Sequence, residues 1–140
     1  AEVMFNYAEI ACAKGITDIG YTVLKQIRER AGIEPGEDGM YGLQSGMTAD
    51  EMRIALLNEK RIEFVFEGQR FWDLRRWKIA EKLDEPFLCW NIEGASVEEF
   101  FKAPQPNMTL TNHFYKSQYL LPISASELEK TPQIIQNPFY

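Results

Sequence analysis

The sequence predicts an all-α fold built from helical hairpins with long irregular loops. Apolar side chains recur at helical spacing through the first 83 residues, and glycines stand where successive helices should stop. Six of the seven prolines follow residue 83, where regular structure should therefore give way. We divide the chain into a helical part, residues 1–83, and an irregular, loop-rich part, residues 84–140.

The first two helices form the clearest hairpin. The first is expected to begin at residue 2 and to end at Gly15, a residue suited to a left-handed turn. The second begins at Thr17 or Asp18, which act as caps, and ends before Gly32. Antiparallel helix pairs with short connections are the repeat unit of tetratricopeptide-like solenoids, although the sequence contains one clear unit.

Two more helices are expected after a glycine-rich loop. Thr48 and Glu51 have the spacing of a capping box, so a third helix should start there and run to about Phe66. A fourth is expected from Phe71 to about Leu83. The third helix should bury one stripe of side chains: Met52, Ala55, Leu56, Ile62, and Val65 or Phe66.

Composition excludes several classes of protein. The chain has 140 residues and a net charge of -6, so binding to nucleic acid is not expected, since that function needs a basic surface. No apolar run is long enough for a transmembrane helix. Cys12 and Cys89 are compatible with two thiols or, in an oxidising compartment, with a disulfide.

The densest group of charges lies between residues 58 and 77. Glu59, Glu63 and Glu67 are spaced four apart, so they form one acidic row that needs facing cations, among them Arg28 and Arg30 of the second helix. We interpret the segment as a structural ion-pair network, in which removing Glu63 or Arg75 would cost roughly 3 kcal/mol if the pairs are buried. The members of this network are Glu59, Arg61, Glu63, Glu67, Arg70, Asp73, Arg75 and Arg76.

A catalytic interpretation of the acidic row is weaker. Glycoside hydrolysis needs two carboxyl groups on opposite sides of a cleft, which one helix stripe does not provide. A carboxylate-bridged metal site would require Glu-x-x-His motifs, but the one histidine, His113, lies in the irregular part. The sequence also lacks the phosphate-loop, HExxH and GxSxG patterns. We predict no catalytic residue, no metal site and no cofactor.

Aromatic residues make up 13% of the chain and divide into two groups. Those of the helical part are expected in the core: Phe64, Phe66, Phe71, Trp72 and Trp77. In the irregular part an exposed aromatic ring can stack on the apolar face of a sugar, while an amide bonds its hydroxyl groups. We therefore take Trp90, Asn91 and Tyr115 as candidate ligand-binding residues, although loop aromatics also serve as plain anchors.

Five segments together resemble the SusD/RagB family. Residues 59–77 resemble its pattern "ER..E..FEG.R..DLRRW", and the opening AEVMFNYAEI resembles its "AE..LNYAEA" helix. Residues 26–32 resemble "N.IR.RAG", residues 119–127 resemble "LLPIP..E", and residues 136–140 resemble "QNPGY". These matches occur in order along the whole chain. Departures are Lys60 for a frequent Arg, Ser124 for Pro and Phe139 for Gly.

The resemblance implies a function that composition alone does not. Members of this family are outer-membrane lipoproteins that face the medium, capture oligosaccharides or other nutrients, and pass them to a SusC-like TonB-dependent transporter. By this resemblance the chain is the C-terminal portion of a larger SusD/RagB-like domain, without an N-terminal lipid anchor of its own. The alternative is a tetratricopeptide-like scaffold that binds other proteins without capturing a ligand.

Overall fold

The computed structural model describes residues 1–89, 96 and 108–140. These residues confirm the all-α fold class, because helices dominate and the strands form a single two-stranded sheet in this part of the chain. The α-helices are α1 (Glu2–Ala13), α2 (Thr17–Arg30), α3 (Ala49–Glu63), α4 (Gln69–Arg76) and α5 (Ala125–Lys130). The chain forms two compact units, Ala1–Arg70 and Phe71–Tyr140.

The first unit begins with α1 and α2, which pack against each other. Gly15 and Gly32 follow the two helices with φ of +79° and +78°, so the predicted glycine stops are confirmed. The predicted side-chain cap of α2 is wrong. Its N-cap is Ile16, and no side-chain hydrogen bond caps the helix.

Helix α3 packs on both members of this hairpin. The predicted capping box is present: Glu51 N donates to Thr48 Oγ1 at 3.3 Å, and Thr48 N donates to Glu51 Oε2 at 2.8 Å. The Phe5 and Phe64 rings meet edge to face, with centroids 5.6 Å apart. The core of the unit is apolar: Phe5, Ala8, Cys12, Val23, Leu24, Ile27, Leu43, Met47, Met52, Leu56 and Phe64.

The glycine-rich loop before α3 is held by side chains of α2. Tyr21 donates its hydroxyl to the carbonyl of Gln44 at 2.8 Å and accepts from the backbone N–H of Met47 at 2.8 Å. Arg28 Nη1 donates to the carbonyl of Tyr41 at 2.8 Å. These bonds satisfy loop backbone groups, so the connection is part of the packed unit.

The predicted end of α3 is wrong. The helix ends at Glu63, and Phe66 follows with a left-handed φ of +67°. Of the predicted apolar stripe Met52 and Leu56 are buried, whereas Ile62, Val65 and Phe66 are 57%, 56% and 101% exposed. The apolar pattern continues at helical spacing beyond Glu63, but the helix ends there. Val65 and Phe66 therefore do not continue the buried stripe of α3.

The second unit has short elements. Helix α4 ends at Arg76, and a 3₁₀ helix at Ala80–Asp84 replaces the predicted continuation to Leu83. Strands β1 (Phe87–Cys89) and β2 (Met108–Leu110) pair antiparallel. A second 3₁₀ helix covers Lys116–Tyr119, and Ser124 is the N-cap of α5.

Side chains close the last segment of this unit onto itself. The Gln136 amide accepts from the N–H of Ile123 and donates to its carbonyl, both at 2.9 Å. Asn137 Nδ2 donates to the carbonyl of Leu121 at 2.6 Å.

The predicted burial of Phe71 and Trp72 is wrong, because they are 43% and 64% exposed; Trp77 is half-buried.

Candidate functional site

The acidic row of α3 is met by arginines of α2 at two of its three members. Arg28 donates to Glu59 Oε2 from Nε at 3.0 Å and from Nη2 at 2.7 Å. The Glu59 side chain is 9% exposed, so this charge lies in the packed unit together with its partner. Arg28 thereby joins the α3 carboxylate to the loop carbonyl of Tyr41.

The remaining members of the row lie nearer to solvent. Arg30 Nη2 donates to Glu63 Oε1, and the Arg30 side chain is 59% exposed. Glu67 is exposed and has no ion-pair partner among the residues described. Arg61 donates to the Asn58 amide oxygen at 3.3 Å. Along the row, Glu59 is therefore buried and paired, Glu63 is paired nearer to the surface, and Glu67 is exposed.

The second unit holds three of the other predicted network members, Asp73, Arg75 and Arg76. Arg76 Nη2 donates to Asp73 Oδ1 at 2.9 Å, and the Asp73 carboxylate is 9% exposed. Arg75 makes no ion pair within the described part of the chain. Its Nε donates to the carbonyl of Gln118 at 2.9 Å, and its guanidinium stacks on the Phe71 ring at 3.5 Å from the centroid. Arg70 is half-buried and is the last residue of the first unit.

One buried pair was missed by the sequence analysis. Lys60 Nζ lies 3.4 Å from Glu9 Oε1, and the two side chains are 5% and 9% exposed. The signal was present: Met52, Leu56 and Phe64 are spaced four apart on the buried stripe, and Lys60 occupies the remaining position of that series. A lysine there needs a buried carboxylate partner, which α1 supplies.

The aromatic candidates are only partly located. Trp90 and Asn91 lie outside the described residues. Tyr115 is 65% exposed and stands directly before the 3₁₀ helix Lys116–Tyr119. Its backbone N–H donates to Gln118 Oε1 at 2.8 Å, which holds the backbone while the ring faces solvent. Tyr115 thus has the exposure that a stacking platform requires.

Two titratable groups in the second unit are coupled. The Tyr119 hydroxyl donates to Glu81 Oε2 and accepts from the Ala80 N–H at 3.1 Å. The hydrogen bond from Tyr119 lowers the pKa of Glu81. The pKa of Tyr119 is raised, mainly by burial and secondly by its hydrogen bond to Glu81. In the described ranges no three His, Cys, Asp or Glu side chains are grouped to hold a metal ion.

The thiols are separate in the structure. Cys12 and Cys89 are both free, Cys12 buried and Cys89 half-buried. Cys12 Sγ donates to the carbonyl of Ala49 at 2.8 Å, and burial raises the pKa of its thiol. Such a thiol behaves as a small core side chain.

Comparison with known proteins identifies the chain. None of the helices in the described ranges is both long and apolar enough to span a membrane. SusD-like protein P2 of Formosa agariphila is 25% identical to the chain in an alignment of 143 residues. The alignment covers 96% of this chain and 25% of that protein. The chain thus spans about a quarter of the length of this relative. The sequence pattern of the SusD family matches residues 1–140, which confirms the resemblance, and the chain belongs to the SusD/RagB family.

Proposed function

We propose that this chain serves non-catalytic nutrient binding at the cell surface. The ligand is an oligosaccharide or another nutrient, and the receiver is a SusC-like TonB-dependent transporter in the outer membrane. The chain forms the C-terminal portion of a larger SusD/RagB-like domain that is lipid-anchored and faces the medium. The observation that carries this proposal is the family match over residues 1–140.

The geometry of the charged segment supports a scaffold role there. Its best-buried carboxylate, Glu59, is occupied by Arg28. A carboxylate held by two donors is poorly placed to take a proton from a substrate. We therefore assign the ion pairs of this segment to structure, and we propose that the aromatic residues Trp90 and Tyr115 capture the ligand, with Asn91 supplying an amide.

A binding experiment tests the aromatic assignment. The chain is titrated with an oligosaccharide library while tryptophan fluorescence is recorded. Quenching that disappears in Trp90→Phe, and weaker binding in Tyr115→Ala, support it. Trp72→Phe is the matched control, since Trp72 is exposed and lies in the charged segment. Equal quenching in the Trp90→Phe and wild-type proteins would reject the platform.

The transport partner is tested separately. The protein is isolated from its own cells with mild detergent after growth on different glycans. Recovery of a TonB-dependent transporter in the same complex supports the proposal. Repeated isolation without such a transporter, from cells that express both proteins, would contradict it.

The alternative is a tetratricopeptide-like scaffold for other proteins. One observation favours it: α1 exposes Val3, Tyr7 and Ile10, which lie on a single face at helical spacing. In this case Tyr7→Asp would abolish binding of a protein partner, while glycan binding would be absent in the wild-type chain as well.

A further inference from the structure

A cavity of about 340 Å³ lies entirely within the second unit. Its volume is at the lower end of the range that small-ligand sites occupy. The wall of the cavity is mostly apolar, although four of its eight lining residues are polar or charged. The lining is formed by Arg75, Lys78, Lys116, Ser117, Tyr119, Leu120, Pro138 and Phe139.

The charge of this lining is opposite to that of the chain. Three lining residues, Arg75, Lys78 and Lys116, carry positive charge and none carries a carboxylate, although the chain has a net charge of -6. The nearby acid Glu81 is bound by the Tyr119 hydroxyl and also interacts electrostatically with Lys116. A concave surface lined by one sign of charge concentrates counter-ions of the other sign.

The cations retain donors for a ligand. The ammonium groups of Lys78 and Lys116 have no hydrogen-bond or ion-pair partner among the residues that the structure describes. Arg75 donates from Nε to the carbonyl of Gln118 and from Nη1 to the carbonyl of Phe71, which leaves Nη2 without a partner in the same ranges. A guanidinium that is held in place, beside two ammonium groups on lysine side chains, suits a carboxylate or sulfate group.

The backbone is unusual at two lining residues. Lys78 has a φ of +52° and Phe139 a φ of +73°, a left-handed conformation that L-residues rarely adopt. Phe139 occupies the position at which the family pattern has glycine, and its ring is 73% exposed. A phenylalanine at this position strains the backbone, which glycine would not do, but it places an exposed aromatic ring beside the cations.

We propose that this cavity binds an acidic saccharide, a sugar that carries a carboxylate or a sulfate ester. Arg75, Lys78 and Lys116 bind the anionic group, the Ser117 hydroxyl is available to a ring hydroxyl, and Phe139 packs on the apolar face of the sugar ring. The inference rests on the proposed nutrient binding and narrows its ligand class.

Calorimetric titration of the full chain tests the charge requirement. The probes are trigalacturonate, its fully methyl-esterified form, a sulfated galactan tetrasaccharide and inorganic sulfate. We expect the two acidic saccharides to bind and the neutral ester to bind at least about tenfold more weakly. Preference for one acidic probe distinguishes a carboxylate site from a sulfate site. Raising the ionic strength from about 50 to about 300 mM should weaken the acidic ligands selectively.

Variants locate the site. The double variant Lys78→Gln/Lys116→Gln should lose roughly tenfold or more in affinity for the acidic saccharides. Lys82→Gln is the matched control, because Lys82 is exposed in the same unit but does not line the cavity. Phe139→Gly should weaken the saccharides and leave inorganic sulfate unchanged, since it removes the ring and keeps every cation.

Three results would overturn the inference. One is equal loss in Lys82→Gln and the double variant, which would indicate general charge attraction. The second is sulfate binding as tightly as the saccharides, and the third is no binding of either acidic saccharide. Binding of the neutral ester that is unaffected by the lysine variants would overturn the acidic ligand alone, and the proposed nutrient binding would stand.

Discussion

Arg28 binds Glu59 through two nitrogens, with Nε at 3.0 Å and Nη2 at 2.7 Å from the same carboxylate oxygen. The pair joins α2 to α3, and its arginine also holds the loop carbonyl of Tyr41. The pair is much better buried than Arg30–Glu63, whose arginine is 59% exposed. The two pairs therefore form a matched comparison within one unit.

Glu59→Ala should lower the free energy of unfolding by roughly 3 kcal/mol, because it leaves the Arg28 guanidinium without its partner. Chemical denaturation measures the change. Arg30→Ala should cost less than about 1 kcal/mol, since solvent screens that pair. The apolar double variant Arg28→Met/Glu59→Leu should recover most of the loss. Equal losses for Glu59→Ala and Arg30→Ala would show that burial does not separate the pairs.

Gly20→Ala should be destabilising even though alanine favours helices by about 1 kcal/mol. A Cβ at Gly20 would lie 2.5 Å from Met52 Sδ, and Met52 is fully buried. We expect a cost of about 1–3 kcal/mol from overpacking.

A double-mutant cycle isolates this contact. In a Met52→Ala background the added methyl group has room, so Gly20→Ala should become neutral or stabilising. The same cost in both backgrounds would mean that Met52 is not the obstacle. Thermal unfolding of the four proteins gives the coupling directly.

The two thiols should react at different rates with iodoacetamide at neutral to mildly basic pH. Cys89 is half-buried, whereas Cys12 is buried, donates to Ala49 and has a raised pKa. Mass spectrometry should find Cys89 modified at least about tenfold faster than Cys12. The single variants Cys12→Ser and Cys89→Ser assign the two phases. Equal rates would contradict the burial of Cys12.

The sign of the Cys12 pH dependence follows from the raised pKa. The folded state holds the thiol proton more tightly than the unfolded state does. Its contribution to stability is therefore fully present below the unfolded pKa, about 8.5, and is lost as the pH rises through the folded pKa. Cys12→Ala should reduce this loss of stability at basic pH.

Thr48→Ala should destabilise the first unit by about 1 kcal/mol, because it removes the side chain that caps α3. Glu51 adds an acid dependence: the Thr48 N–H is the main cause of its lowered pKa. Its contribution is present above the unfolded pKa, about 4.3, and is lost as the pH falls through the folded pKa. Glu51→Gln should flatten acid unfolding, while Glu34→Gln, an exposed control, should not.

Phe66→Gly should stabilise the chain by about 1 kcal/mol, since glycine adopts a left-handed φ without steric cost. Phe66 has a φ of +67° and is fully exposed, so little packing is lost. Val65→Gly is the control: Val65 is also exposed but does not have a positive φ, and the change should cost about 0.5–1 kcal/mol. A loss of stability in Phe66→Gly would show that its ring has a partner.

Local chemistry made part of the fold predictable. The capping box of Thr48 and Glu51 and the turns at Gly15 and Gly32 each depend on a few neighbouring residues, so the sequence displays them. The stop after Glu63 was missed because apolar residues continue through Phe66. Periodicity shows which side chains are apolar and not which of them are covered.

Contacts between residues far apart in the chain could not be predicted from such local patterns. The pairing of α1 with α3 through Glu9 and Lys60 joins residues far apart in the chain. The cavity likewise joins α4 to the final residues, because Arg75 and Phe139 both line it. Periodicity indicates that Lys60 is buried, but it does not identify Glu9 as its partner, nor does it show which cations meet at the cavity. The family pattern supplied what periodicity did not, namely the class of the protein.

The buried Lys60–Glu9 pair also fixes how far α1 is allowed to slide along α3. Apolar stripes tolerate a shift of one helical turn, about 5.4 Å, because leucine-like surfaces resemble one another. Charge does not: α1 has acids only at Glu2 and Glu9, so a one-turn slip would leave the lysine facing no carboxylate of α1. The next acid is seven residues away, about 10.5 Å along the helix. The pair thus favours one alignment of the two helices, because an off-register intermediate would lose this contact.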